Sequence, residues 1–360
     1  MRKRSLSLLI VAACTTPPPD SPAVEAPDAG AITAAPPDAA PPSCADRTEE
    51  VVSWPASDAR PAPQIAIAGG TIDLTYQYDL DRVRLDDHWL YSMPVSAASL
   101  VAAHACVVGA RAGTRGPILC IDRDGARGID PGDRAKPSLA ADAGGGLHVA
   151  YVGDDGVWYA HRAAGGVWTR PEQVATGEAI DVSIAADSSG APHLVYTILA
   201  GDGTRGLFAV DRAGDGWRTS FLDDDLPAIG ARAIAIDGED HLHVAYRRHE
   251  RTLVYVERAP GGAWSPARVI APDVATMDAA IAIGPGGPAV AHVTGSPSQV
   301  RVARRDAHGA WTRTIVGAVV PGTTAAIAVD DDDTAHVVFA EPRPDGPAQR
   351  LIHASVCAVD

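Results

Sequence analysis

The chain is 360 residues long, with a formal charge of −15, five cysteines, 35 glycines and 29 prolines. The acidic excess opposes a phosphate-binding surface and predicts no nucleic-acid partner and no adsorption to anionic lipid. Abundant Gly and Pro, with no long stretch of 3.6-residue apolar period, exclude a helical bundle.

In chain order, the first element is MRKRSLSLLIVAAC, a basic start followed by an apolar run too short to span a bilayer as a stable helix. It reads as a secretion signal over residues 1–13. The tetrapeptide Val11-Ala12-Ala13-Cys14 resembles the lipobox of bacterial lipoproteins. That resemblance implies lipidation of Cys14 and export to the envelope. Thr15 stands where an Asp would favour inner-membrane retention, so the outer membrane is the expected destination. Residues 14–43 are rich in Pro, Ala and Asp and nearly devoid of large apolar side chains, which predicts a disordered tether. Membrane contact is expected through the lipid alone.

From residue 44 to residue 360 the sequence repeats. The segments SLAADAGGGLHVAY, SIAADSSGAPHLVY, AIAIDGEDHLHVAY, AIAIGPGGPAVAHV and AIAVDDDDTAHVVF recur about every 47 residues. Each is two short apolar strands around a tight turn. Such a unit cannot bury its faces alone, and radial stacking of copies gives an all-β β-propeller. Expected blades cover 137–180, 182–230, 232–276, 279–322, and 324–360 completed by 44–62. Two weaker copies precede them. One runs from SLVAAHACVVGARAG to about Ala135; the other starts at QIAIAGG and has HWLY, with Tyr91, in the third-strand place held elsewhere by Tyr255. The count is seven four-stranded blades, with six as the alternative because the first copy lacks a convincing fourth strand.

The cysteines follow from this alignment. Cys106 falls on a second strand and Cys120 on the third strand beside it, predicting one disulfide. Cys357 ends the last third strand, and Cys44 begins a segment that matches a fourth strand. The N-terminal segment is therefore expected to pair with the C-terminal blade and close the ring, with a Cys44–Cys357 bond as its lock. Closing so long a loop is worth several kcal/mol in the chain-entropy model.

In four copies an Asp precedes a His by six residues: Asp142 and His148, Asp187 and His193, Asp237 and His243, Asp330 and His336. The fourth copy has Gly284 and Val290 instead. Pairs spread around a ring do not converge on one point, so they read as hairpin structure and not as a catalytic centre. Trp168, Trp217, Trp264 and Trp311 recur at 49, 47 and 47 residues and read as packing between blades. The acidic runs Asp223–Asp225 and Asp330–Asp333 lack the spaced ligands of a calcium loop and read as solvated turns; no metal and no cofactor is expected.

The second-to-third-strand connections vary most in length, and variable loops on a rigid scaffold are where binding concentrates. They carry Asp79, Arg82, Arg115, Asp154, Asp202, Arg205, His249, Arg251 and Arg350, a candidate binding rim. The repeats resemble those of sialidase-like or BNR-type propellers, on strand pattern and turn residues across most of residues 64–360. The Asp-box of that family, Ser-x-Asp-x-Gly-x-Thr-Trp, is absent, and no catalytic residue carries over. The expected function is a lipid-anchored module that binds protein or glycan through one loop face. The alternatives are a sialidase-like glycoside hydrolase or lyase, and a structural envelope protein.

Overall fold

The computed structural model describes residues 47–54, 63–68, 71–79, 82–85, 88–91, 95–101, 104–109, 116–122, 125–199, 205–227, 232–275, 279–306, 308–319, 324–342 and 349–357. Residues 1–46, where a signal and a tether are expected, lie outside them with Cys14 and Cys44, as do Arg115 and Asp202. Every regular element described is a β-strand, and every pairing is antiparallel.

The strand β1 (Arg47–Trp54) is followed by β2 (Gln64–Ala68), β3 (Thr71–Asp79), β4 (Arg82–Leu85) and β5 (His88–Tyr91), which form a four-stranded sheet in chain order. Next come β6 (Val95–Val101), β7 (His104–Gly109), β8 (Gly116–Asp122) and the 17-residue β9 (Gly125–Ala141). The first part of β9 pairs with β8 and the last part with β10 (Leu147–Gly153). It is thus the outer strand of one blade and the inner strand of the next, which β11 (Gly156–Arg162) and β12 (Glu172–Thr176) complete.

The remaining blades are separate sheets. One holds β13 (Glu178–Ala186), β14 (Pro192–Leu199), β15 (Arg205–Ala213) and β16 (Gly216–Asp223). The next holds β17 (Arg232–Ile236), β18 (Leu242–Arg247), β19 (Leu253–Arg258) and β20 (Arg268–Ala271). Then come β21 (Ala280–Gly284), β22 (Gly287–Val293), β23 (Gln299–Arg305) and β24 (Trp311–Ala318). The last sheet joins β25 (Ala325–Val329), β26 (Ala335–Pro342) and β27 (Gln349–Val356) to β1, which pairs with β27 as its outer strand. The first strands β2, β6, β9, β13, β17, β21 and β25 touch one another in that order, and β25 touches β2. That closed circuit of inner strands is the axis of the propeller.

One strand assignment differs from the sequence reading. HWLY is the fourth strand of the first blade, and the third is β4, inside the run read as a long connection. The alternation Arg82-Val83-Arg84-Leu85 is the period-two pattern of a strand, which the density of charge had hidden. Asp79 and Arg82 consequently are register partners on β3 and β4. Cys106 and Cys120 are register partners on β7 and β8 and form a disulfide.

Burial follows position within the blade. The second strands are covered on both faces, so β10 is buried along its whole length and β18 over all but its last residue. Such strands read as continuous apolar runs. Outer strands alternate and expose residues such as Phe221 on β16. The core lies between blades: Ala150, Val152, Val157 and Tyr159 of one meet Val182, Ile184, Leu194 and Tyr196 of the next. Each Val, Ile or Leu side chain among them contributes roughly 1.5–3 kcal/mol on burial.

His292, on β22 in a blade without an Asp–His pair, is 1% exposed. Burial, with Arg301 and Arg313 nearby, holds its pKa down at about 4. Its unfolded value is about 6.5, so it stabilises the fold above that pH, and the contribution is lost as pH falls toward 4. The expected size is roughly 3 kcal/mol. Replacing it, His292→Leu, is expected to flatten the decline of the urea midpoint between pH 6.5 and 4; an unchanged decline assigns acid sensitivity elsewhere.

Candidate binding clefts between blades

The Asp–His pairs close their own hairpins. Each Asp follows a first strand and turns one carboxylate oxygen onto backbone N–H groups of the turn: Gly146 to Asp142, Ser189 and Ala191 to Asp187, Glu239 and His241 to Asp237, Asp332 and Thr334 to Asp330. The other oxygen meets Nε2 of the His on the second strand at 3.0–3.2 Å. These contacts satisfy backbone amides of the turns.

Nδ1 of each His then reaches the third strand. It meets Tyr159 OH for His148, Asp211 for His193, Tyr255 OH for His243 and Nε2 of His353 for His336. Burial pushes the pKa of His148 and His243 down despite the adjoining carboxylates. For His193 burial is outweighed by Asp211 and Asp187, and its pKa is raised.

A second repeated device works across blade boundaries. Arg212, Arg258 and Arg305 each end or nearly end a third strand and pair with an acid of the preceding blade: Glu172, Asp211 and Glu257. Arg212 and Arg258 also lie over Trp217 and Trp264 at 4.8 and 4.7 Å. Trp217 and Trp311 pack edge-on against Tyr159 and Tyr255 of the blade before. The indole nitrogens of Trp168, Trp217, Trp264 and Trp311 are buried without an acceptor, in keeping with packing.

The boundaries differ in what is left open. Between the blades of β13–β16 and β17–β20, Arg258 and Asp211 form a two-bonded pair at 2.6 and 2.9 Å, both buried. That boundary is closed on itself. Between β17–β20 and β21–β24 lies a cleft of about 480 Å³, lined by Asp237, His241, Glu257, Gly286, Arg305 and Asp306 among others. A smaller cleft of about 260 Å³ occupies the equivalent place two boundaries away, on the far side of the closed one, with His148, Tyr159, Glu172, Gly190 and Arg212 in its wall. Both sit on the face of the first-to-second and third-to-fourth turns.

In the larger cleft Tyr255 donates to Oε2 of Glu257 at 2.8 Å, and Arg305 holds the same oxygen at 2.5 Å. Burial works against the Glu257 charge, but these two partners hold its carboxyl below the usual range. Burial and Glu257 together push the Tyr255 hydroxyl far up. The resolved carboxylate shifts of Asp130, Asp142, Asp187, Asp211, Asp223, Asp237, Asp330 and Glu257 are all downward.

The rim residues on the opposite turns are engaged locally. Arg251 pairs with Asp273 at 2.9 Å and Arg350 with Glu341 at 2.6 Å. His249 gives its backbone N–H to Asp225, Asp154 lies exposed in the β10–β11 turn, and Arg205 begins β15. The acidic runs also differ from solvated turns. Asp223 accepts from Tyr246 and Arg248, and Asp333 crosses to the neighbouring blade, where it takes Gly286 N–H and Arg304. Asp333 fills the place left by Gly284, where an added Cβ meets its carboxylate at 2.4 Å.

His241, Glu257, Arg305 and Asp306 of the larger cleft were not singled out from the sequence. Their signal was present, an Arg closing successive third strands, but it repeats, and repetition read as scaffold.

No protein-family model and no curated protein matches the chain. Solved structures are similar in fold. A protein of unknown function from Dyadobacter fermentans DSM 18053 is 11% identical, with TM-score 0.54 over 86% of this chain and 98% of that one. The Hadza microbial sialidase Hz136 is 9% identical, with TM-score 0.50 over 79% of this chain and 73% of its own. AofleA from Arthrobotrys oligospora is 12% identical, with TM-score 0.50 over 88% and 90%. The likeness shows the propeller fold.

The role of Asp333 is testable. Asn keeps its φ of 61° accessible and removes the charge opposite Arg304. Asp333→Asn is expected to lower stability by roughly 1–2 kcal/mol, whereas Asp331→Asn, exposed in the same turn, leaves the denaturant midpoint unmoved. Equal effects would remove the cross-blade contact as a stabiliser.

Proposed function

We propose that the chain is an exported, lipid-anchored propeller that binds saccharide in clefts between its blades and does not hydrolyse it. The observation that carries this reading is the recurrence of one arrangement, an acid and an Arg facing across a blade boundary beside a Tyr, in two clefts of about 260 and 480 Å³. Preformed concave sites of this size with a few placed polar groups are ordinary ligand sites. A sugar hydroxyl donates and accepts at once, so it matches a wall that offers carboxylate, guanidinium and imidazole within one cleft.

Binding is favoured over hydrolysis by the direction of the carboxylate shifts. Glycoside cleavage by paired carboxyls needs one acid kept protonated by a raised pKa. The resolved shifts run the other way. The buried Tyr151 and Tyr246 donate to Asp130 and Asp223 at 2.8 and 2.7 Å, and burial pushes their hydroxyls up, which suits structural donors better than nucleophiles.

Export and anchoring are supported by the lipobox-like Cys14 and the Pro- and Ala-rich segment after it. Cys14→Ala is expected to move the protein from the membrane fraction to the soluble extracytoplasmic fraction; unchanged fractionation sinks the anchor. On a glycan array the full-length protein is expected to bind, and on a panel of chromogenic glycosides to turn over nothing. Turnover abolished by a cleft or rim carboxylate substitution would overturn the binding-only reading.

A further inference from the structure

The larger cleft has more to say about the kind of sugar it takes. Its polar atoms divide into those already bonded and those left open. Asp237 is saturated: one oxygen accepts Glu239 and His241 N–H, the other meets His241 Nδ1 at 3.0 Å and His243 Nε2 at 3.2 Å. Oε2 of Glu257 holds Tyr255 and Arg305. Oδ1 of Asp306 accepts His308 and Ala310 N–H.

Among the described residues, Oε1 of Glu257, Oδ2 of Asp306, Nε2 of His241 and the Nε and Nη2 of Arg305 make no hydrogen bond, and all four residues line the cleft. The two carboxylate oxygens only accept, and the guanidinium nitrogens only donate. Arg305 is held by Glu257 through Nη1 alone, and the wall carries three carboxylates, Asp237, Glu257 and Asp306, against this one guanidinium. A cleft with that net negative charge repels an acidic sugar and favours a positively charged one.

We infer that the cleft between the β17–β20 and β21–β24 blades selects an amine-bearing saccharide, its ammonium seated between Glu257 and Asp306. This inference rests on the saccharide-binding reading and specifies the ligand class of the same site. It sets the cleft apart from a site for sialic or uronic acids, whose carboxylate the three acids of this wall would repel.

The test is calorimetric titration of the full-length protein in detergent with four probes of comparable size: chitosan tetramer, its fully N-acetylated counterpart, cellotetraose and a glucuronate-bearing tetramer. Chitosan tetramer is expected to bind about tenfold more tightly than either neutral probe, with the acidic probe weakest. Asp306→Asn, which keeps Oδ1 for its turn, is expected to abolish the preference for the amine.

Equal affinity for the free and N-acetylated tetramers, or an amine preference that survives Asp306→Asn, overturns the inference and leaves saccharide binding standing. Binding of spermidine as tight as chitosan shows recognition of the charge without the sugar, and overturns it too. Failure of all four oligosaccharides to bind counts against the broader reading as well. Added salt weakens the amine preference if it is electrostatic.

Discussion

Each blade has two apolar faces and nothing but its neighbours to cover them. A four-stranded sheet with buried residues on both sides of β10 or β18 is unstable by itself, and only a closed circuit leaves no blade with a bare face. Closure in turn requires an outer strand for the last blade. The chain supplies it from its other end, where β1 lies beside β27. Every other feature, including the clefts, exists because apolar faces are pressed together around that circuit.

Pressing sheets together also brings polar strand ends into contact, and these need partners. Within a blade the Asp–His pair serves the first hairpin; between blades an Arg of one third strand takes an acid of the blade before. Where both partners are buried and doubly bonded, as with Asp211 and Arg258, the boundary is sealed. Where the acid is a longer Glu held through one oxygen, as with Glu257, atoms stay open and a cleft results. A ring of similar blades thus acquires distinct boundaries through small differences at equivalent positions.

Much of this was legible beforehand. The 47-residue period, the strand-turn-strand pattern, the Cys106–Cys120 pairing and the return of the N-terminal segment to the last blade all follow from local pattern and alignment of copies. Less legible was the first blade, where the charges around β4 masked a period-two alternation. The clefts were hidden for a different reason. Glu257 and Arg305 stand 48 residues apart, nearly one repeat, and their meeting depends on how adjacent blades are turned against each other. Asp333, read as one of four acids in a solvated turn, likewise proved to serve its neighbour.

By itself, then, the sequence determined the class of fold, the order of its strands in most blades and the way the ring closes, because each rests on periodicity and on contacts near in sequence or equivalent between copies. Only the tertiary structure decided which polar side chains meet across a boundary and which of their atoms remain open. Those contacts join residues about one repeat apart through the angle and spacing of packed sheets, and no local pattern encodes that geometry.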